Sequence, residues 1–271
     1  MGWGTLIVAG TVAGAAACGP VWAAPGCQFE PLGTGKVTAV SDGRSFALDD
    51  GRTLRLAALE VPPLPAPGET GHQAAAGIAA RTALESMLLG QEVALRRHGP
   101  AATDRYGRAL VYAYLTRDQA ERSVVHDMLA RGLARVGTQA GERACAAALW
   151  GQERAAREAK LGLWGEPYYG LLGAESAEAL LAERGQFTLV EGKVASVRDS
   201  GGTIYINFGR RWSEALTVTI LKRHERTFAA AGVAPKQLEN RVVRVRGWVE
   251  ERNGPRIEAL RPEQIEIAER N

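Results

Sequence analysis

Three short blocks of the chain carry residues suited to one kind of chemistry. They are Asp42-Gly43-Arg44-Ser45, the stretch from Arg55 through Glu60-Val61-Pro62-Pro63, and Asp104-Arg105-Tyr106-Gly107-Arg108. A guanidinium fits phosphate through two parallel hydrogen bonds and stays charged at any working pH. Arg55, on a strand beside a turn, and Arg108, just after Tyr106-Gly107, could converge as a phosphate clamp. Hydrolysis of a phosphodiester asks for more: a cation or metal on the non-bridging oxygens, a base for water, and support for the leaving oxygen. Taken singly, each arginine reads more readily as a surface or salt-bridged side chain.

The elements that must position these blocks follow from periodicity and turn residues. Residues 35–40 and 45–48 read as short strands. Asp49-Asp50-Gly51 is a hairpin turn, because Asp-Gly tolerates positive φ, and residues 52–59 form the returning strand. Pro62, Pro63, Pro65 and Pro67 exclude regular structure after it. Helical spacing runs from His72 to Leu89 and stops at Gly90. Residues 92–96 and 109–115 are strands; 121–133 and 141–160 are helices, the last closing on Leu161-Gly162-Leu163-Trp164.

In order and spacing the three blocks, with Val124-Val125-His126-Asp127-Met128 in the following helix, resemble the staphylococcal-nuclease (thermonuclease) family over residues 35–164. The resemblance implies an OB barrel carrying a calcium-dependent phosphodiesterase site for DNA and RNA. It implies that Arg55 and Arg108 are the two phosphate-contacting arginines, and that Arg105 and Tyr106 lie beside the substrate. Two positions depart. The family's first calcium ligand is the second Asp of an Asp-Gly-Asp-Thr turn, and here it is Arg44. The general base follows the Pro, and here it is Pro63, which can neither accept a proton nor hold a water. A second ligand position is Glu60. A guanidinium near a divalent ion is repelled by several kcal/mol at ~4 Å even with strong screening. Arg44 is therefore expected to pair with Glu60, to contact phosphate without a metal, and to leave no calcium site. No cofactor is expected. Asp42 reads as a cap of its turn, Asp104 as a partner of Arg108, and Glu69 as a carboxylate that could swing inward as a substitute base.

The second half resumes strand signals at 187–197, 203–208, 216–220, 241–249 and 256–259, with a helix near 222–231. Five strands with a helix after the third is the pattern of an OB barrel. Thr203 to Trp212 interleaves aromatic and basic residues, as in barrels that stack single-stranded bases. Tyr205, Arg210, Arg211 and Trp212 are candidates there, against the plainer alternative that Tyr205 and either Phe208 or Trp212 fill the barrel.

A chain of 271 residues with 46% hydrophobic and 23% charged residues fits a globular protein of two ordinary domains. Net charge is +3, with 15 Lys+Arg against 11 Asp+Glu in residues 185–271. That weak excess is compatible with a polyanionic partner and equally with a solvated basic face. Residues 1–23 hold no charged side chain and end in Val21-Trp22-Ala23, so they read as a signal peptide. A lipid anchor on Cys18 is the rival. Cys27 and Cys145 then remain, an even pair that suits one disulfide in an oxidising compartment.

The expectation is an α+β chain, mainly β with helices: two tandem OB-like five-stranded barrels, the first of staphylococcal-nuclease type. Its parts are a signal peptide (1–23), a thermonuclease-like domain (35–170), a helical linker (171–184) and a second barrel (185–271). The chain would be exported to the periplasm or beyond. It would bind nucleic acid or another polyanion through Arg55 and Arg108, with weak or absent cleavage. The alternatives are an active phosphodiesterase with a rearranged site built on Glu60, and a non-catalytic envelope scaffold that binds protein.

Overall fold

The structure, a computed structural model, describes residues 1, 28–117, 120–141 and 143–268. The expected signal segment, Cys18 and Cys27 lie outside these. The first unit begins with strands β1 (Glu30–Asp42), β2 (Ser45–Leu48), β3 (Thr53–Leu56) and β4 (Leu59–Glu60). Helix α1 (His72–Leu88) follows, then β5 (Glu92–Arg97), β6 (Ala109–Arg117), β7 (Ala120–Ser123), helix α2 (Val124–Ala130), β8 (Arg135–Val136) and helix α3 (Arg143–Glu158). Strand order is β3-β2-β1-β5-β6-β7, and a parallel β3–β6 pairing joins Leu54–Leu56 to Ala109–Val111. Five strands thus close into a ring. Closure brings Arg55 opposite Leu110 and sets the second and third blocks side by side.

The strand expected over 52–59 breaks at Ala57-Ala58, where Ala58 takes φ 62°, into β3 and β4; the other expected elements of this unit recur with two differences. The helix expected over 121–133 begins as strand: Ala120–Ser123 pairs back on β6, and α2 starts only when Ser123 caps it, its side chain accepting from the His126 amide. The second difference is β4–β8, a two-residue ladder pairing Glu60 with Arg135. It is too short to show any periodicity in sequence.

Apolar residues from every wall of the ring fill it. Phe46, Leu56 and Leu95 meet Leu84 and Leu88 of α1 and Met128 and Leu129 of α2, all buried. Burying each such side chain stabilises the fold by roughly 1.5–3 kcal/mol.

The second unit holds β9 (Leu172–Gly173), α4 (Ala177–Ala182), β10 (Phe187–Lys193), β11 (Ser196–Ser200), β12 (Thr203–Asn207) and β13 (Thr217–Leu221). It ends with α5 (Glu225–Ala230), β14 (Val242–Glu251), β15 (Pro255–Glu258) and β16 (Ile265–Ile267). Their sheet runs β11-β12-β13-β15-β14-β10-β9, with β16 on β14. Residues 171–184 are more than a helical linker: β9 adds a parallel edge to β10 before α4 begins.

The two units share a buried seam. Leu189 of β10 packs with Ala156 of α3 and Trp164, all but buried. At its centre Arg246 of β14 is fully buried, its Nη1 donating to Glu153 Oε2 at 2.8 Å and Oε1 at 3.1 Å and to the Val136 carbonyl at 3.2 Å. Its Nη2 reaches Glu266 Oε2 at 3.3 Å, and Glu266 also pairs with Arg154 and Arg244. Buried charges persist when they are paired and hydrogen-bonded; here the pairing crosses from one unit to the other.

Candidate functional site

The turn between β1 and β2 is closed by Asp42, whose Oδ1 accepts the Arg44 amide at 2.8 Å. A Cβ at Gly43 would stand 2.7 Å from that of Ala80, so α1 seats directly on this turn and only glycine fits. The Arg44 side chain is thereby aimed across the ring's end at β4. Its Nη1 donates to Glu60 Oε2 at 2.6 Å and its Nη2 to Glu60 Oε1 at 3.0 Å. The Leu59 carbonyl accepts from the same Nη1 at 2.6 Å. Both side chains are only 15% exposed, so this is a two-pronged, partly desolvated pair of the strong kind.

Calcium binds through six to eight oxygens, mostly carboxylate and carbonyl. Here both Glu60 oxygens and the adjoining carbonyl already serve a guanidinium. The residues present do not fit the ion. Among the described residues no group of three or more His, Cys, Asp or Glu side chains gathers as a metal site.

Asp104 is the hub of the third block. Its Oδ1 accepts the Tyr106 amide at 2.9 Å and the Arg108 amide at 3.0 Å, which folds the turn that Gly107 completes at φ 77°. Its Oδ2 takes Arg108 Nε at 2.7 Å and Arg108 Nη2 at 2.7 Å, and stands 3.5 Å from Arg55 Nη1. Burial disfavours the Asp104 carboxylate, but the bonds from the Arg108 side chain, the Arg108 amide and the Tyr106 amide outweigh it. They hold the carboxyl below the usual aspartate range. Arg108 Nη1 also donates to the buried Ser45 hydroxyl at 3.1 Å. The pair with Asp104 is Arg55's one ion pair among the described residues. Burial, and next the Arg44 charge, lower its pKa against the pull of Glu60. Like any arginine it remains a cation at neutral pH.

Arg44, Arg55, Glu60, Asp104 and Tyr106 line one cleft of about 510 Å³, while Arg108, held by Asp104, is not part of its lining. Arg105 stands on its rim, donating to the Tyr106 hydroxyl at 2.7 Å, and its charge lies 4.8 Å from that ring's centre. Gly137, Thr138, Gln139 and Trp248 of β14 also line the cleft.

Residues 53–166 match the family model for staphylococcal nuclease homologues. Over this span the chain is similar to staphylococcal nuclease homologues. The match starts at β3, after the Arg44 turn; β1 and β2 join the nuclease domain through the ring they complete. No curated protein matches the chain. A nuclease-type domain fits nucleic-acid binding, and among the described residues no helix is long and apolar enough to cross a membrane.

The structure brings Arg44, Arg55, Glu60, Arg105, Tyr106 and Arg108 together. It leaves Glu69 apart: the side chain is turned onto its own loop, accepting the Ala66 amide at 2.9 Å. Pro63 is exposed at the loop's start. Of the second unit's candidates, Arg210, Arg211 and Trp212 line, with Arg198, a separate cleft of about 630 Å³, and Tyr205 does not. Phe208 is the ring that fills the core, at 3% exposure, while Tyr205 stands outside and stacks on Trp212 with planes 5° apart. Arg211 is paired with Glu214 at 2.8 Å. Cys145 is buried beside His98, with 3.8 Å between its sulfur and Nδ1. Sequence reasoning missed two residues around the first cleft, Arg135 and Trp248. Burial lowers the Arg135 pKa, opposed first by Glu60 and then by Glu153. Its charge lies 5.2 Å from the Phe187 ring. Nothing local in the sequence marks either residue, since strand pairing and the seam between units bring them in.

Proposed function

We propose that the nuclease-domain cleft binds the phosphates of single-stranded nucleic acid, or of another polyanion, with cleavage weak or absent. One observation carries this reading. The carboxylates lining the cleft, Glu60 and Asp104, are both held by arginine forks, and the position expected to supply the base is an exposed proline. General-base catalysis needs an acceptor free to take a proton within hydrogen-bond reach of water. Phosphate binding needs less. Arg55 is bound to Asp104 only at 3.5 Å, so an incoming phosphate can replace that carboxylate with better geometry.

Purified protein incubated with single-stranded DNA and RNA tests this, with calcium, with other divalent ions and with chelator, beside Arg55→Ala. The expected result is binding that weakens steeply with salt, with a slope near −0.7 per phosphate neutralised on a single strand. The variant should lose that binding, and no product should form. Metal-dependent cleavage abolished by Arg55→Ala would instead establish an active phosphodiesterase. Salt-insensitive capture of protein alone would mark a scaffold.

The second sheet supports an OB reading of residues 185–271. β13 and β15 are parallel, as β3 and β6 are. β10 and β11 lie near opposite ends of the sheet path yet are separated by two residues, so together they make one bent first strand that joins its ends. Helix α5 follows the third strand. The Arg198–Trp212 cleft would then be a secondary single-strand surface. Export rests on the uncharged leader. The Cys27–Cys145 bridge rests on the even cysteine count of the mature chain; equal masses in reducing and non-reducing peptide maps would remove it.

A further inference from the structure

The nuclease-domain cleft is not completed by the nuclease domain. Its lining includes Trp248, which β14 of the second unit contributes. On that strand the neighbours of Trp248 are buried: Arg246 is locked into Glu153, and Val249 points into the second core at 1% exposure. Trp248 itself is 49% exposed, on a strand where Val245, Arg246, Gly247 and Val249 are all buried. It is braced rather than loose. Phe187, its cross-strand partner, meets it edge to face with centroids 6.1 Å apart and planes at 73°. The Arg135 charge sits 5.2 Å from the Phe187 ring on the other side. The ordering entropy of the tryptophan ring is therefore spent in folding, before any ligand arrives.

We propose that Trp248 is a base-stacking wall, so that the cleft takes a nucleotide unit: phosphate on Arg55, nucleobase on Trp248. This rests on the phosphate reading above and adds the class of ligand. A bare polyanion would gain nothing from a half-exposed indole, whereas every nucleobase presents a flat π-face to it. The cleft's volume of about 510 Å³ lies in the range of small-ligand sites, roughly 300–1,000 Å³, and suits one nucleotide better than a bare phosphate. The second unit acquires a role in the first unit's site: the seam through Arg246 fixes the register of β14 and hence the position of Trp248.

The test uses the full chain and two fluorescein-labelled probes followed by anisotropy. One is a thymidine hexanucleotide; the other is its abasic counterpart with the same phosphates. Stacking is worth about 1–3 kcal/mol per base, so Trp248→Ala should weaken hexanucleotide binding roughly 5- to 150-fold and leave abasic binding unchanged. Trp248→Phe should recover most of the loss. Equal weakening of both probes would reduce Trp248 to a structural prop and overturn the proposal. So would a preference for bases that survives Trp248→Ala, which would place stacking elsewhere, such as on Trp212. In both cases phosphate binding stands. If the wild-type chain binds neither probe, the phosphate reading itself has failed, and the stacking wall falls with it.

Discussion

Replacing Arg246 by methionine should destabilise this protein in a way that depends on pH. The substitution keeps an unbranched apolar stem and removes the guanidinium and its charge. Glu153, 1% exposed, then keeps the Val136 amide at 2.7 Å but loses both guanidinium bonds. Glu266 retains Arg154 at 3.0 Å and Arg244 at 3.1 Å. The orphan is thus a single buried carboxylate. It cannot keep its charge dry, so it must take up a proton. For an ordinary glutamate with pKa about 4.3, that costs about 3.7 kcal/mol at pH 7 and about 1 kcal/mol at pH 5. The first figure agrees with the ~3–5 kcal/mol typical of breaking a buried ion pair from one side. The sign is that of a carboxyl neutral when folded: stability is intact at low pH and lost as pH rises. Urea unfolding followed by tryptophan fluorescence at both pH values would read the difference. A loss equal at pH 5 and pH 7 would refute the reasoning, because it would assign the cost to packing instead of charge. A loss under 1 kcal/mol at pH 7 would show that water reaches Glu153.

Three further outcomes are expected. Asp104→Asn keeps the Oδ1 acceptor that folds the turn and removes the charge competing for Arg55 and Arg108, so oligonucleotide affinity by anisotropy should rise several-fold; a fall would mean that Asp104 orients the arginines for the ligand. Arg44→Asp with Pro63→Glu restores a carboxylate at the turn and an acid after Pro62, and should yield calcium-dependent cleavage of single-stranded DNA; no gain would mean that the loop from Pro62 no longer places its side chains toward the cleft. Glu263, 5% exposed, has its pKa raised chiefly by burial, against its own backbone bond, Arg261 and His98. Its raised pKa gives full stability below the usual glutamate range and loses it as pH rises. Glu263→Gln should therefore match the wild type near pH 4 and melt higher at pH 7, and a variant that melts lower at pH 7 than the parent would contradict this.

The sequence by itself marked the arginines of the proposed phosphate clamp. Arg55 and Arg108 are recognisable because turn residues surround them: Asp104, Gly107 and the strand after each fix where a guanidinium can go. The same holds for the pairing of Arg44. A cation in a metal turn must find a carboxylate, and Glu60 was the one at hand; the fork between them follows from charge alone. Strand and helix positions were legible wherever periodicity ran for more than four residues, as in α1 and β6. Shorter pairings were not. β8 shows no pattern of its own, and Glu60 meets Arg135 only because two distant dipeptides form a ladder.

Tertiary structure alone decided three things. It turned Glu69 away, because a flexible loop side chain goes to its nearest free amide, a matter of local geometry that no composition records. It sorted Phe208 into the core and Tyr205 and Trp212 onto the surface, since strand alternation gives two faces and packing chooses between them. It also set Trp248 in the wall of a cleft whose arginines lie more than a hundred residues earlier in the chain. Sequence spacing encodes what a segment does with its neighbours in the chain. A cleft shared between two folded units depends on how their surfaces fit, and here that fit turns on one buried arginine.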